Sequence, residues 1–333
     1  MILDDEIRRP AIGVVVAMLC FAGLAVVEPL ATYSVALAVF GLPHVLSELR
    51  YVDQRFGRRL DRRLLVPVLV VLPVIVATRA GVVFHIVPPN VGLPIELGGG
   101  ALLALLACRG GSARRTGLAL LVAAAMGGAT ALAPYPTAIT VSILHNLTPL
   151  VFLWQVAAPA WRGRVMGWAS GVFLGLPLLV ATGWPREALQ GALGLGADLD
   201  PLGAGPLINT MFVYVPPGFL DARQAIDLFT ASVVAQGAHY LAVILVLPVL
   251  LRRLDTGARG LVPWPPAGIF AVLCGAAALF SLVRFLGGFA EARALYGIAA
   301  SLHVWIEIPL MIVALTGGTQ GCSLRTPRQC RQS

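Results

Sequence analysis

The sequence contains no lysine, and only 12% of its residues are charged, about half the share that is typical of a soluble domain. Hydrophobic residues make up 58% of the 333 residues, and the mean hydropathy is +0.86. A soluble fold has no place for this much apolar surface, so the composition excludes a soluble protein. It predicts an integral membrane protein.

Several motifs that carry chemistry in other proteins are also missing. The five cysteines form no CxxC pair, which leaves a zinc or thiol-redox site without support. The sequence has no HExxH, and its glycine-rich stretch "GLGADLDPLGAG" lacks the strand and helix that flank a nucleotide-binding loop. No repeat of fixed period is present, so a transporter built from inverted repeats gains no support.

Apolar runs long enough to cross a bilayer recur ten times along the chain. The predicted spans are 10–28, 30–49, 64–80, 91–108, 116–134, 137–157, 166–184, 223–250, 264–284 and 295–316. Prolines interrupt the third and fourth of these. We expect an all-α, polytopic transmembrane helical bundle in one domain, residues 1–316, with a polar cytoplasmic tail, 317–333. The outer connection at about 185–221 is expected to be an irregular loop or, given its aromatic and proline residues, an interfacial segment or a lid over a substrate entrance.

All 24 basic residues are arginines, and the formal net charge is +8. If both termini are cytoplasmic, only Arg79, Arg186, Arg223, Arg284 and Arg293 fall on the outer side. This asymmetry follows the positive-inside rule. It predicts contacts with anionic lipids at the cytoplasmic face, no nucleic-acid partner, and a multi-pass protein of a bacterial inner membrane.

Four of the five histidines, His44, His145, His239 and His303, lie within predicted spans, whereas His85 lies at an outer boundary. The four occur on even-numbered spans, which run in the same direction, and several share a similar depth. A buried imidazole costs free energy unless its nitrogens are paired, and ionisable groups in membranes usually face a bundle interior. Any one of the four could be a helix-packing residue that bonds a neighbouring helix. Taken together, the four histidines favour a metal site.

Two carboxylates repeat one spacing next to these histidines. Glu48 follows His44 and Glu307 follows His303, each by four residues, which places both side chains on one helix face. Imidazoles with one or two carboxylates suit Fe(II) and leave positions open for O2. Glu48 and Glu307 are then metal ligands or bases that hold a ligating imidazole, and the set fits one ion or two.

Other polar and aromatic residues stand close to the histidines. They are Asn146 and Thr148 near His145, Gln236 and Tyr240 near His239, and Ser301 and Trp305 near His303. Gln236 and Ser301 are expected to bond imidazoles or to link helices, and Tyr240 and Trp305 to pack or to line a substrate channel. Gly41, Pro43 and Pro149 are expected to break their helices.

The stretch "GLPHVLSE", 41–48, resembles the G-x-P-H-G-x-x-D signature of the Brp/Blh-type carotenoid oxygenases, polytopic membrane proteins that cleave β-carotene to retinal. Gly41, Pro43 and His44 match, Val45 replaces the second glycine, and Glu48 replaces the aspartate. Glu307 follows His303 where that family has a second late histidine. The resemblance implies a non-haem iron centre held by four histidines within the bundle.

Three functional hypotheses follow. The first is a membrane-embedded, non-haem iron oxygenase that acts on a lipophilic, carotenoid-like or isoprenoid substrate entering from the bilayer. The second is a transporter in which the same histidines and glutamates form a transit site for a metal ion or protons. The third is a membrane cytochrome, in which pairs of histidines bind haem.

Overall fold

The computed structural model describes residues 2–57, 60–193, 199–219, 224–253 and 260–316, which contain fifteen α-helices. They are α1 (Ile2–Val27), α2 (Pro29–Val52), α3 (Arg62–Val83), α4 (Pro89–Leu106), α5 (Ala113–Leu132), α6 (Pro134–His145), α7 (Thr148–Val156), α8 (Pro159–Ser170), α9 (Leu176–Ala181), α10 (Trp184–Leu193), α11 (Leu207–Met211), α12 (Ala225–Leu241), α13 (Leu247–Arg253), α14 (Ala267–Gly287) and α15 (Phe289–Thr316). The predicted tail 317–333, Arg223, and residues 194–198 and 220–221 of the predicted outer connection lie outside the described residues.

Nine helical stretches of the described chain are long and apolar enough to cross a membrane. They coincide with the second to tenth predicted spans, and the all-α, multi-pass architecture is thereby confirmed. The first predicted span falls on α1, whose apolar part, Ile12–Val27, is shorter than the other nine stretches. The count of ten spans and the cytoplasmic position of both termini stay predictions.

Prolines begin several helices and do not prevent them. Pro29, Pro89, Pro134 and Pro159 lie in the first turn of α2, α4, α6 and α8, where a missing N–H costs nothing because that group has no partner within the helix. The third and fourth predicted spans are also continuous helices, although Pro67, Pro73 and Pro94 lie inside them. Pro43 also lies inside a continuous α2, so the expected break at Gly41 and Pro43 is wrong.

The sixth span does break, between α6 and α7. Pro149 has no N–H to donate to the carbonyl of His145 four residues earlier. The hydroxyl of Thr148 donates to that carbonyl instead, at 2.9 Å. The chain turns at Asn146 and Leu147 and leaves His145 at the end of α6.

Helices α2 and α12 form the centre of the bundle, with α15 packed against α2 and α1 against both. The apolar windows of the spans that contain α2 and α12 are 67% and 61% buried, compared with 17% for α5 and α14. Close approach depends on a glycine at one point: a Cβ at Gly41 would lie 3.0 Å from a ring carbon of Tyr296 on α15. Two of the four helices that carry the intramembrane histidines are thus the most buried of the membrane-spanning stretches.

The outer connection is more ordered than expected, because it contains α10 and α11. After α11 the chain folds into the bundle, and Tyr214 and Val215 are buried there. The Tyr214 ring packs against Tyr33 of α2 and Phe229 of α12, with centroids 6.3 and 6.2 Å apart. The tyrosine hydroxyl of Tyr135 donates to the carbonyl of Phe212, at 2.5 Å. This segment therefore closes one end of the bundle.

Candidate metal centre

The four intramembrane histidines meet at one point, although they come from α2, α6, α12 and α15. Nε2 of His303 lies 3.2 Å from Nε2 of His44 and 3.0 Å from Nε2 of His145. The ring of His239 lies across the group, with centroids 5.4 Å from His44 and 4.6 Å from His145. The similar depths inferred from the sequence thus correspond to direct contact between the rings.

Glu48 is the carboxylate that enters this group. Its Oε2 lies 3.2 Å from Nε2 of His239 and 3.8 Å from Nε2 of His303. The side chain is fully buried. No donor among the described residues is in hydrogen-bonding geometry with either oxygen, although the carboxyl group of Glu307 also lies close to it. One donor atom from each of the five residues lies within 4.8 Å of all the others. The described residues therefore include a buried His/Glu cluster that could hold a metal ion.

The positions of the protons on the imidazole nitrogens favour a cation in the cluster. Nδ1 of His145 lies 2.7 Å from a carboxylate oxygen of Glu307, and Nδ1 of His44 lies 3.2 Å from the carbonyl oxygen of Phe40. The carbonyl oxygen accepts, and so does an ionised carboxylate. With Glu307 ionised and the rings neutral, both Nδ1 atoms donate and each ring keeps a lone pair on Nε2. His303 has at most one proton on Nε2 and faces both lone pairs, so in this protonation state at least one contact brings two lone pairs together unless a cation lies between them.

The distances agree with a shared ion. Two ligands at about 2.1 Å from a metal and about 90° apart are separated by about 3.0 Å, as are the nitrogens of His303 and His145. Both ring nitrogens of His239 and both oxygens of Glu48 are buried without a hydrogen-bond partner among the described residues. Unpaired buried polar atoms cost free energy, and a bound cation would remove that cost. The residues present fit a metal.

Glu307 lies behind His145 and is not one of the five converging donors. Its Oε2 accepts from Nδ1 of His145, and its Oε1 accepts from the hydroxyl of Thr148 at 3.2 Å. A carboxylate bound to the far nitrogen of an imidazole holds the ring orientation and makes the near nitrogen more basic. Thr148 also bonds the carbonyl of His145, so it ties this carboxylate to the break between α6 and α7.

The two carboxylates serve histidines of other helices. Glu48 lies on the face of His44 but approaches His239 and His303, whereas Glu307 lies on the face of His303 but bonds His145. The repeated four-residue spacing correctly indicated that both carboxylates lie beside intramembrane histidines. It contained no information on which imidazole each carboxylate would reach.

Gln236 and Ser301 make hydrogen bonds within their own helices, and not the expected bonds to imidazoles or to other helices. Gln236 donates to the hydroxyl of Tyr240 one turn along α12, at 2.7 Å, and Ser301 donates to the Ile298 carbonyl within α15. Neither of these hydrogen bonds reaches an imidazole or another helix. The ring of Tyr240 packs on His44, with centroids 4.4 Å apart.

A cavity of about 300 Å³ adjoins the cluster. Of the residues expected near the histidines, Asn146, Gln236, Tyr240, Ser301 and Trp305 all line it. Sequence reasoning did not identify Tyr33, Tyr214, Tyr296 and Arg293, which also line it. Tyr296 had a signal, since it precedes His303 by seven residues and so shares its helix face; Tyr214 had none, because it reaches the cavity from a loop.

His85 stays apart from the cluster, as expected. It is exposed, and its φ of 58° lies in the left-handed region. Comparison of the chain with protein-family models, with curated proteins and with solved structures found no match in any of the three.

Proposed function

We propose that the protein is a membrane-embedded, non-haem iron oxygenase that acts on a lipophilic substrate entering from the bilayer. The observation that carries this proposal is the convergence of four imidazoles and the Glu48 carboxylate, with unpaired donor atoms, beside a cavity within the membrane-spanning helices. The similarity of residues 41–48 to the carotenoid oxygenases points to the same class of chemistry. A bacterial inner membrane is the proposed location.

The donor set favours iron. Four nitrogens and one carboxylate exceed the four ligands of a structural zinc site, and the cluster contains no thiolate that would favour Cu(I). Fe(II) bound there would supply a position for dioxygen and its reduction at the metal. The five converging donors are enough for a single ion, and Glu307 lies outside them.

The protein's own residues orient the site and limit access to it. Glu307 and the Phe40 carbonyl hold the protons of His145 and His44 on Nδ1, so that both Nε2 atoms face the centre. His145 is the open side of the cluster, with 10% of its side chain exposed, against 2% or less for the other four members. Ser142, about one turn earlier on α6, lines the cavity and is exposed on the surface of a predicted span. These features support entry of a lipophilic substrate from the lipid beside α6.

The geometry does not suit haem. Two axial imidazoles approach a haem from opposite faces of a broad porphyrin. Here Nε2 of His303 lies only 3.2 Å from Nε2 of His44 and 3.0 Å from Nε2 of His145. No porphyrin fits between nitrogens at these separations.

We also propose a binding site for the anionic lipids predicted at the cytoplasmic face. Arg62, Arg63 and Arg109 surround a second cavity, of about 530 Å³, together with Val66 and Pro67. These arginines lie on the predicted cytoplasmic side, where a basic pocket between helices suits an anionic lipid head group.

The test is metal analysis of the full chain purified anaerobically in a nonionic detergent. We expect stoichiometric iron, no Soret band, and an EPR signal on adding nitric oxide, which probes an Fe(II) position open to dioxygen. His145→Ala and His239→Ala should lose the iron and the signal. His85→Asn is the matched control, because asparagine tolerates the left-handed backbone, and it should keep both.

Two results would overturn the proposal. One is a folded, colourless protein that takes up no Fe(II) when reconstituted anaerobically. The other is Fe(II) that binds but exchanges completely on dialysis and gives no nitric oxide signal, which would indicate a transit site for an ion.

A further inference from the structure

The cavity beside the cluster is elongated along one face of α15. Arg293, Tyr296, Ala300 and His303 line it at intervals of three or four residues, the spacing of one helix face. The rise of about 1.5 Å per residue places Arg293 and His303 about 15 Å apart along the helix axis. Along this face, Arg293 is therefore the cavity-lining residue of α15 that is farthest from the candidate metal centre.

Arg293 differs from the other described arginines on the predicted outer side. Arg79 also lines the cavity, but it pairs with Glu96 at 2.7 Å. Arg186 pairs with Asp227 at 2.6 Å, and Arg284 with Glu291 at 3.3 Å. No carboxylate among the described residues lies within ion-pairing distance of Arg293. Its contacts are the hydroxyl of Tyr33 and the ring of Phe289, whose centroid lies 5.9 Å from the guanidinium carbon.

An uncompensated guanidinium in such a place favours an anionic ligand. Arg293 is half-buried, so it has lost part of its hydration, and removal of a charge from water costs free energy that an opposite charge repays. The planar guanidinium bonds carboxylate and phosphate oxygens in pairs. The Tyr33 hydroxyl beside it offers one more polar contact.

Between the two ends the wall is largely apolar, with a few polar groups among the apolar residues. Its apolar residues include Leu37, Leu93, Leu97, Val141 and Val304. The ring of Tyr296 lies 6.3 Å from that of His44, and Tyr33 lies beside Arg293. A volume of about 300 Å³ is at the lower end for small-molecule sites. The space fits one slender chain better than a bulky ring system.

We propose that this cavity binds an amphiphile whose anionic head group, a carboxylate or a phosphate, pairs with Arg293, and whose apolar chain extends along α15 toward the histidines. The inference rests on the proposed function for the fate of that chain, since its inner end is the part that a metal centre would oxidise. It assigns the substrate class: an acidic lipid and not a pure hydrocarbon. Arg293 is the residue that selects it.

The experiment compares ligands that share one chain and differ in head group. Radiolabelled dodecanoate, dodecyl phosphate and dodecanol are bound to the purified full chain at a fixed concentration of nonionic detergent. We expect at least one anion to bind about 10-fold to 100-fold more tightly than the alcohol, the scale of hydrogen bonds to a charged group. The tighter anion identifies the head group.

The variants assign this preference to one residue. Arg293→Gln should bind the anion and the alcohol equally, whereas Arg293→Lys, which keeps the charge, should retain a preference. Arg284→Gln is the matched control, because Arg284 is an outer-side arginine that is not among the cavity-lining residues. Equal binding of anions and alcohol by the wild type, or a preference that survives Arg293→Gln, would overturn the proposal.

Metal content is measured on the same preparations, which separates the two proposals. The head-group comparison needs no bound metal, so a protein that prefers the anion but takes up no iron contradicts only the oxygenase. A protein with stoichiometric iron and no preference for the anion contradicts only the substrate class.

Discussion

The segments His44–Glu48 and His303–Glu307 have the same spacing, the same depth and the same burial, yet their carboxylates are placed differently. Both oxygens of Glu48 lack hydrogen-bond partners among the described residues and face the imidazoles of two other helices. Both oxygens of Glu307 accept hydrogen bonds, from His145 and Thr148. An unpaired carboxylate is free to bind a cation, whereas a paired one positions its neighbour. The same short pattern thus provides a candidate ligand on α2 and a positioning residue on α15.

Of the substitutions that test this difference between the two segments, Glu48→Gln is expected to lower the Fe(II) affinity most. The amide has nearly the same shape but no charge, so the cation would lose its anionic ligand. We expect the Fe(II) affinity, measured by competition with a chelator, to fall by more than about 100-fold. Loss of a residue that only hydrogen-bonds a metal ligand typically lowers the affinity by about 10-fold to 100-fold. Glu291→Gln, at an exposed carboxylate, is the control and should leave the affinity unchanged. Unchanged affinity in Glu48→Gln would show that Glu48 is not a ligand.

A smaller effect is expected from Glu307→Gln. The side-chain carbonyl of glutamine can still accept from Nδ1 of His145, but it no longer makes the ring more basic by its charge. Fe(II) affinity should fall by about 10-fold to 100-fold, and saturating Fe(II) should still give full occupancy. A loss as large as that of Glu48→Gln would remove the distinction between the two segments and make Glu307 a ligand as well.

The smallest effect is expected from Thr148→Val, which keeps the shape and removes one hydroxyl. Its hydrogen bonds to Glu307 and to the carbonyl of His145 would be lost, at a cost of about 1 kcal/mol in the free energy of unfolding. Thermal unfolding and Fe(II) affinity are measured together, and a decrease of a few-fold in affinity is expected, since Glu307 stays in place. Thr140→Val, which removes an exposed hydroxyl bonded within α6, should change neither quantity.

Much of the site could be predicted because the membrane makes its members conspicuous. In a chain with 12% charged residues, a histidine or glutamate inside an apolar span destabilises the protein unless it has a partner. His44, His145, His239, His303 and Glu48 were therefore conspicuous as a group. Arg293 did not stand out, because arginines at span ends are common and snorkel toward water. Its lack of a carboxylate partner became visible only when the neighbouring helices were in place.

The prolines show where a local rule is not enough. Pro43 and Pro149 both lack the N–H that would bond the carbonyl four residues earlier, yet the span breaks before Pro149, while α2 continues through Pro43 in the centre of the bundle. The same local defect has two outcomes that the sequence does not distinguish. Gly41 near Pro43 admits the ring of Tyr296 and does not break the helix.

The sequence alone determined the membrane-spanning helices, the faces that carry the imidazoles and carboxylates, and the chemical class of the donor set, since these depend on composition and on the period of one helix. The tertiary structure decided that Glu48 meets His239 and His303, that Glu307 holds His145, and that a cavity leads from the cluster to Arg293. These arrangements depend on the relative rotation and height of packed helices. A difference of about one residue, roughly 100° of rotation and 1.5 Å of rise, would change every such partner and leave the sequence pattern the same.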